Sequence, residues 1–254
     1  MRIVVLGGRG AWPSADQGCA GYLVEHRGFR LLIDPGYATL QPLLTRLPAS
    51  AVDAVYVSHG HPDHCADLQP LLRVRALADR PAPALPVYAP IGSLDPLLAI
   101  DEPGLVDTAY HLHGFTPGDD FDVGPFSLRT WSLPHWVPSA GARISAGGTV
   151  LAYTGDTGPG PALVDVARDA DLLIADATYV DEIPDRHVGF LSSAAEVGRY
   201  ASAARTRAVL LTHLWPGTDP DAAVTAAQQA YEGPVAVARS GVVVDLPAGQ
   251  QGLP

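Results

Sequence analysis

The chain has 254 residues, 47% hydrophobic and only 17% charged, with a formal net charge of −11 and a mean hydropathy of +0.13. That composition excludes a disordered polypeptide, and the negative charge speaks against an extended nucleic-acid-binding surface, because an acidic face repels phosphate backbones. Cys19 and Cys65 are the only cysteines and form no CxxC pair, so neither a disulfide framework nor a cysteine-based zinc site is expected, and Cys65 reads as a small buried thiol.

The length suits one layered α/β unit, expected over residues 1–254. Short runs of Val, Ile and Leu predict strands at residues 2–6, 21–25 and 29–33, a helix at 40–47, a strand at 54–57 and a helix at 66–78. The Pro-rich stretch 80–86 reads as a loop before a strand at 87–89. Strands follow at 126–133, 143–145 and 149–154, the last two joined over Gly147-Gly148, where positive φ is tolerated. A helix at 161–168, a strand at 172–175 and a helix at 192–203 come next; Ser192 or Ser193 can cap the latter with Glu196 reaching back. The chain continues with a strand at 208–211, a helix at 220–230 opened by Pro220 and Asp221, and strands at 235–238 and 242–245. The apolar run at residues 1–8 is too short for a secretory signal, and no stretch of about 18 apolar residues can span a bilayer. The reading is therefore a cytoplasmic protein with no membrane partner.

The chemistry concentrates at strand ends. His59-Gly60-His61-Pro62-Asp63-His64 places four metal-capable side chains within six residues, directly after the strand at 54–57. Imidazole nitrogen and carboxylate oxygen are the donors that catalytic zinc accepts, and such a cluster is costly to bury without a use. Three further donors each follow a strand: His135, Asp156 and His213. Strand C-terminal ends are where α/β architectures gather functional groups. Asp34 also follows a strand and reads either as a turn residue or as a support behind a metal ligand. Gly7-Gly8-Arg9-Gly10 lacks the Lys-Ser/Thr of a phosphate loop and reads as a loop beside the cleft, with Arg9 or Trp12 in reach of a substrate. His26, His111 and His113 read as ordinary loop or strand residues.

These motifs, in this order, resemble the metal-binding signature of the metallo-β-lactamase superfamily, and the resemblance extends over essentially the whole chain. It implies an α/β fold, a four-layer αββα sandwich with metals at one edge of two sheets. It also implies two zinc ions, for which manganese or iron would suit the donors as well. One ion would take His59, His61 and His135, the other Asp63, His64 and His213, with Asp156 bridging. Superfamily β-lactamases carry a different ligand, such as Cys, where Asp156 stands. Aspartate there resembles the dinuclear hydrolases: glyoxalase II-type thioesterases, lactonases, ribonuclease Z and related phosphodiesterases.

Finer motifs point to the phosphodiesterase side. The run from His135 to Ile144 resembles the H-x-x-x-S-x-G-x-R-I run of ribonuclease Z-like proteins and the related bacterial cyclic-nucleotide phosphodiesterases. Residues 153–158, 170–179 and 211–216 resemble the same group. That group opens a helix with a histidine in the pattern H-L-S/T-x-x-E; the segment here begins at Phe190, and His187 just upstream is either its replacement in catalysis or a solvent-facing loop residue. The arm with which ribonuclease Z grips tRNA has no counterpart in the compact stretch between Asp156 and His213. The expected activity is hydrolysis of a small phosphodiester, such as a cyclic nucleotide, by a hydroxide shared between two metals and oriented by Asp63. The alternatives are a carbonyl-ester hydrolase (lactonase or thioesterase) and a metal-retaining sensor or binding module without catalysis. Analogy with relatives adds a homodimer.

Overall fold

The computed structural model describes residues 1–247. Two sheets pack face to face. The first is ordered β15 (Val243–Asp245), β1 (Arg2–Arg9), β3 (Gly21–His26), β4 (Phe29–Ile33), β5 (Ala54–Tyr56), β6 (Leu85–Pro90) and β7 (Tyr110–Phe115), with the short β2 (Gly18–Cys19) also paired to β1. The second is ordered β14 (Val235–Val237), β13 (Val209–Thr212), β12 (Leu172–Asp176), β11 (Thr149–Tyr153), β10 (Ser139–Ala146), β9 (Phe126–Leu133) and β8 (Asp120–Val123). The run β4 to β7 is parallel, as is β11 to β14, while β8 to β11 form an antiparallel meander.

Alternation of side chains explains the layering. Ile3, Val5, Tyr22, Ile33 and Tyr56 of the first sheet meet Phe126, Leu128, Ile144, Leu151 and Ile174 of the second. The opposite face of the first sheet (Val4, Leu23, Leu32, Val55) packs on Leu43 of α1 (Leu40–Leu44) and on Leu68 and Leu72 of α3 (Leu68–Leu77). The opposite face of the second (Ala152, Leu173, Leu211) packs on α5 (Ala162–Ala167), α6 (Ala194–Ala203) and α7 (Pro220–Gln228). The result is the expected αββα order. Strands covered on both faces, such as β12 with all five residues buried, read as continuous apolar runs. Each fully buried Leu or Ile contributes roughly 1.5–3 kcal/mol.

The structure departs from the expected elements in identifiable places. The single helix at 66–78 is replaced by α2 (Pro62–Cys65) and α3. Between them Asp67 turns its carboxylate to the backbone N–H groups of Thr39 and Leu40, both at 2.7 Å, and so caps α1. β10 begins at Ser139 rather than at 143: Ser139, Ala140, Gly141 and Ala142 lack strand-forming bulk but are paired with β9. β7 and β8 were not anticipated, since both are sheet edges with polar residues turned outward. The helix at 192–203 forms as α6, with Ser193 and Glu196 making both bonds of a capping box. Among the described residues no helix is long and apolar enough to cross a membrane.

Candidate metal centre

The ends of β5, β9, β11 and β13 converge, and the donors after them meet in two quartets that share Asp156. In the first, His61 Nδ1 lies 3.1 Å from His59 Nε2 and 3.0 Å from His135 Nε2, and Asp156 Oδ2 stands 3.9 Å from both Nε2 atoms. In the second, His213 Nε2 lies 3.1 Å from Asp63 Oδ2 and 3.1 Å from Asp156 Oδ2, while His64 Nε2 is 3.0 Å from Asp156 Oδ1. Donors about 2.0–2.1 Å from a tetrahedral zinc sit about 3.3 Å apart, so these spacings suit a cation at each quartet.

The polar accounting agrees. His64 Nε2 and Asp156 Oδ1 are buried and face each other, yet neither is aligned for a hydrogen bond. Orphaned buried polar atoms are rare in native proteins, and here they converge on a point that a cation would satisfy. The residue types, their spacing and these orphan atoms all fit a pair of metal ions. The seven donors named from sequence are thus brought together, and in the division that the resemblance implied.

A second layer fixes the rings. His64 Nδ1 donates to Asp34 Oδ2 at 2.7 Å. Asp34 also accepts from Ser58 N (2.6 Å), Ser58 Oγ (2.6 Å) and the Tyr153 hydroxyl (2.6 Å). Asp34 therefore holds the His64 ring in place, in keeping with the supporting role, and it also sits at a turn in the left-handed region. Two further rings hang on matching relays. His59 Nδ1 is 3.0 Å from Ser58 Oγ, which donates to Asp34; His213 Nδ1 is 2.8 Å from Thr178 Oγ1, which donates to Asp176 at 2.6 Å. His135 Nδ1 donates to the Phe190 carbonyl at 2.9 Å. Holding Nδ1 as N–H leaves Nε2 free for a metal. Ser58, Tyr153, Thr178 and Asp176 were not singled out as supports from sequence; a hydroxyl directly before His59 and an aspartate ending β12 were the available signals.

Backbone geometry completes the aim. Asp34 (φ 45°) and His213 (φ 60°) adopt the left-handed region, which costs of order 1–3 kcal/mol and persists only where the surroundings enforce it. Gly10 lies against the His213 ring: a Cβ there would sit 2.8 Å from Nδ1. Gly60 meets a steric need. A Cβ on it would overlap the Ser93 carbonyl oxygen, so the loop carrying His59 and His61 passes directly against that backbone. Gly60→Ala should destabilise the protein by about 1–3 kcal/mol in chemical denaturation and weaken metal binding with it; unchanged stability and affinity would contradict this close approach.

The electrostatics follow from burial and carboxylate density. Burial opposes charge on His64, but Asp156 and Asp63 outweigh it and hold the ring protonated well above its ordinary range. Burial likewise opposes charge on His213, and Asp156 with the bond to Asp63 raises it to about 9. Burial holds His59 far below its ordinary value, with the charge of His64 adding to the effect. Burial also pushes Asp176 up to about 7, helped by the nearby Asp156 charge. Carboxylates that keep two buried imidazoles protonated are a field that draws in cations.

His187 lines the same cleft as Asp63 and Asp156, in a cavity of about 280 Å³. Its Nδ1 is hydrogen-bonded to the Tyr179 hydroxyl. The histidine position of the H-L-S/T-x-x-E pattern is corrected by the capping box. With Ser193 as the S/T and Glu196 as the E, the histidine falls two residues earlier, on Leu191 rather than Phe190. Leu191 is buried and lines the cleft, whereas Phe190 stacks on Trp136 outside it.

Fold and site together define a metallo-β-lactamase-type centre. A family model described as a beta-lactamase superfamily domain matches residues 29–214, and the chain belongs to the metallo-β-lactamase superfamily of hydrolases. A Bacillus subtilis protein named "Probable metallo-hydrolase YhfI" is 30% identical over 250 residues, covering 96% of this chain and 99% of that protein. The crystal structure of YhfI, described as a metallo-beta-lactamase fold protein, superposes with a TM-score of 0.87 at 29% identity, over 95% of this chain and 97% of that one. A Haloferax volcanii protein named ribonuclease Z is 29% identical over 303 residues, covering 97% of this chain and 95% of that protein.

Proposed function

We propose that this chain is a metal-dependent hydrolase of a small phosphodiester, a cyclic nucleotide being the leading substrate, with two zinc-type ions as cofactors. The observation that carries the reading is the pair of quartets sharing one carboxylate. Paired sites of this kind suit in-line displacement at phosphorus, and the likeness to a ribonuclease Z supports that class. His59, His61 and His135 would hold one ion, Asp63, His64 and His213 the other, and Asp156 both. When bound, the ions supply Lewis acidity, making water nucleophilic near neutral pH and offsetting charge on the phosphoryl oxygens.

The chain's own groups do the rest. Asp63 Oδ2 is fixed by the Ala11 N–H (2.8 Å) and His213 (3.1 Å), so this carboxylate can orient the attacking water as well as ligate. His187, with Nδ1 engaged by Tyr179, keeps Nε2 for the oxygen that leaves. The Leu191 side chain in place of a histidine removes the other candidate donor, so leaving-group assistance falls to His187.

The first test is hydrolysis of 3′,5′-cyclic AMP and bis-p-nitrophenyl phosphate by protein of known metal content, beside lactones and thioesters. Both phosphodiesters should turn over, lose turnover on chelation and regain it with zinc or manganese. His187→Ala should lower cyclic AMP turnover about a hundredfold and affect the activated ester far less, because nitrophenolate leaves without a proton. Among the residues that line the cleft none is an arginine, an observation that suits a neutral carbonyl ester as well. Turnover of lactones or thioesters with neither phosphodiester cleaved would replace this reading.

A further inference from the structure

Aromatic rings from four separate loops form an arc at the metal cleft. Phe190 stacks on Trp136 with centroids 5.0 Å apart and planes 21° apart. Trp136 meets His187 at 5.4 Å, His187 meets Trp215 at 5.8 Å, and Trp215 meets Trp12 edge-on at 5.2 Å. Tyr179 stands behind, stacked on Trp215 at 6.1 Å and bonded to His187. The loops that present Trp12, Trp136 and Trp215 follow β1, β9 and β13, and the last two also deliver His135 and His213.

Packing alone does not account for the arc. Trp12 is 49% and Trp136 45% exposed. Large aromatic rings left in water beside a reacting centre are usual at binding sites and wasteful elsewhere. Trp136, His187 and Trp215 line the same cavity of about 280 Å³ as Asp63 and Asp156. That volume is just below the usual range of ligand pockets, about 300–1,000 Å³.

Charge narrows the class. The chain has no lysine, and no arginine is among the cavity's lining residues. Phosphomonoesters and polynucleotides are gripped through Arg or Lys; here Asp63 and Asp156 occupy the wall beside histidines, so a phosphate would be met by bound cations and imidazoles and by no Arg or Lys of the cavity lining. We propose that the arc is the subsite for a planar ring, a nucleobase or aryl group, of a phosphodiester carrying one negative charge, which stacks against Trp136 or Trp215. This rests on the phosphodiesterase reading and names the substrate class within it. Stacking tolerates any base, because every base has a π face, so the subsite selects for a ring and against a second charge.

The test is binding of the hydrolysis-resistant phosphorothioate of cyclic AMP to metal-loaded protein, followed by calorimetry and tryptophan fluorescence. The expected result is saturable quenching, with Kd raised about tenfold or more in Trp136→Leu and in Trp215→Leu, metal content unchanged, and Trp136→Phe retaining most of the affinity. Dimethyl phosphate, which has no ring, should bind wild type and variants alike and quench nothing. Trp136 is half in solvent, so its truncation leaves folding intact. A Kd unchanged in both leucine variants overturns the subsite, as does failure of the wild type to bind the phosphorothioate. If binding depends on Trp136 but neither cyclic AMP nor bis-p-nitrophenyl phosphate is cleaved, the subsite stands and the phosphodiesterase reading falls. Cleavage with KM unchanged in both variants has the reverse meaning.

Discussion

Asp156→Ala should lose bound metal from both quartets at once. Its two oxygens are placed differently: Oδ1 lies 3.0 Å from His64 Nε2, and Oδ2 lies 3.1 Å from His213 Nε2 and 3.9 Å from His59 and His135. Among the described residues Asp156 is the one side chain that belongs to both quartets. The loss in metal affinity and turnover should exceed the roughly 10–100-fold typical of changes one layer further out. Elemental analysis of the purified variant, with hydrolysis assayed on the same sample, checks this. A variant retaining two equivalents of metal and full turnover would remove Asp156 from the centre.

Asp34→Ala should strongly destabilise the protein although Asp34 is not one of the seven donors. Asp34 is fully buried and accepts from Ser58 N, Ser58 Oγ, His64 Nδ1 and the Tyr153 hydroxyl. Its removal strands those donors, and His64 keeps its charge without this partner. Breaking a buried ion pair from one side costs about 3–5 kcal/mol, which for a protein of this size lowers Tm by about 10 °C. Metal affinity should fall about 10–100-fold as the His64 ring loses its orientation. Thermal melting in chelator and a zinc titration separate the two effects. Asp34→Asn, which keeps acceptor capacity, should recover part of the stability. Equal melting of Asp34→Ala and wild type in chelator would show that the network carries no such load.

Much of this was legible in the sequence, for physical reasons. Strands buried on both faces are continuous apolar runs, so a donor placed just beyond one, as in His59, His135, Asp156 and His213, stands out. The S/T-x-x-E at Ser193 likewise announced the start of α6. What was illegible depends on distance or on edges. Tyr153 and Asp34 are 119 residues apart, and nothing local to either marks the bond. β7, with His111 and His113 turned outward, has too much polar surface to read as a strand. Ser139 to Ala142 are too small to suggest one, yet Gly141 is small for a reason: a Cβ there would lie 2.5 Å from a Leu133 methyl carbon. The Phe190 assignment failed by one position: S/T-x-x-E reaches Glu196 only from Ser193, which puts the histidine position on Leu191, and the capping bonds of Ser193 and Glu196 agree.

The pairing of distant residues also has a bearing on how quickly this protein forms and how slowly it comes apart. Asp63 and His213 are separated by 150 positions, and β15 pairs with β1 through Arg2 and Asp245, 243 positions apart. Contacts that enclose such long stretches are formed late, after loop-closure entropy has been overcome, and chains dominated by them fold slowly. A centre assembled from such contacts is expected to form on the native side of the folding barrier. Damage to it, or loss of its ions, should leave the refolding rate nearly unchanged and appear as faster unfolding. The ions would then act as a latch on the finished molecule, setting its lifetime more than its route of assembly.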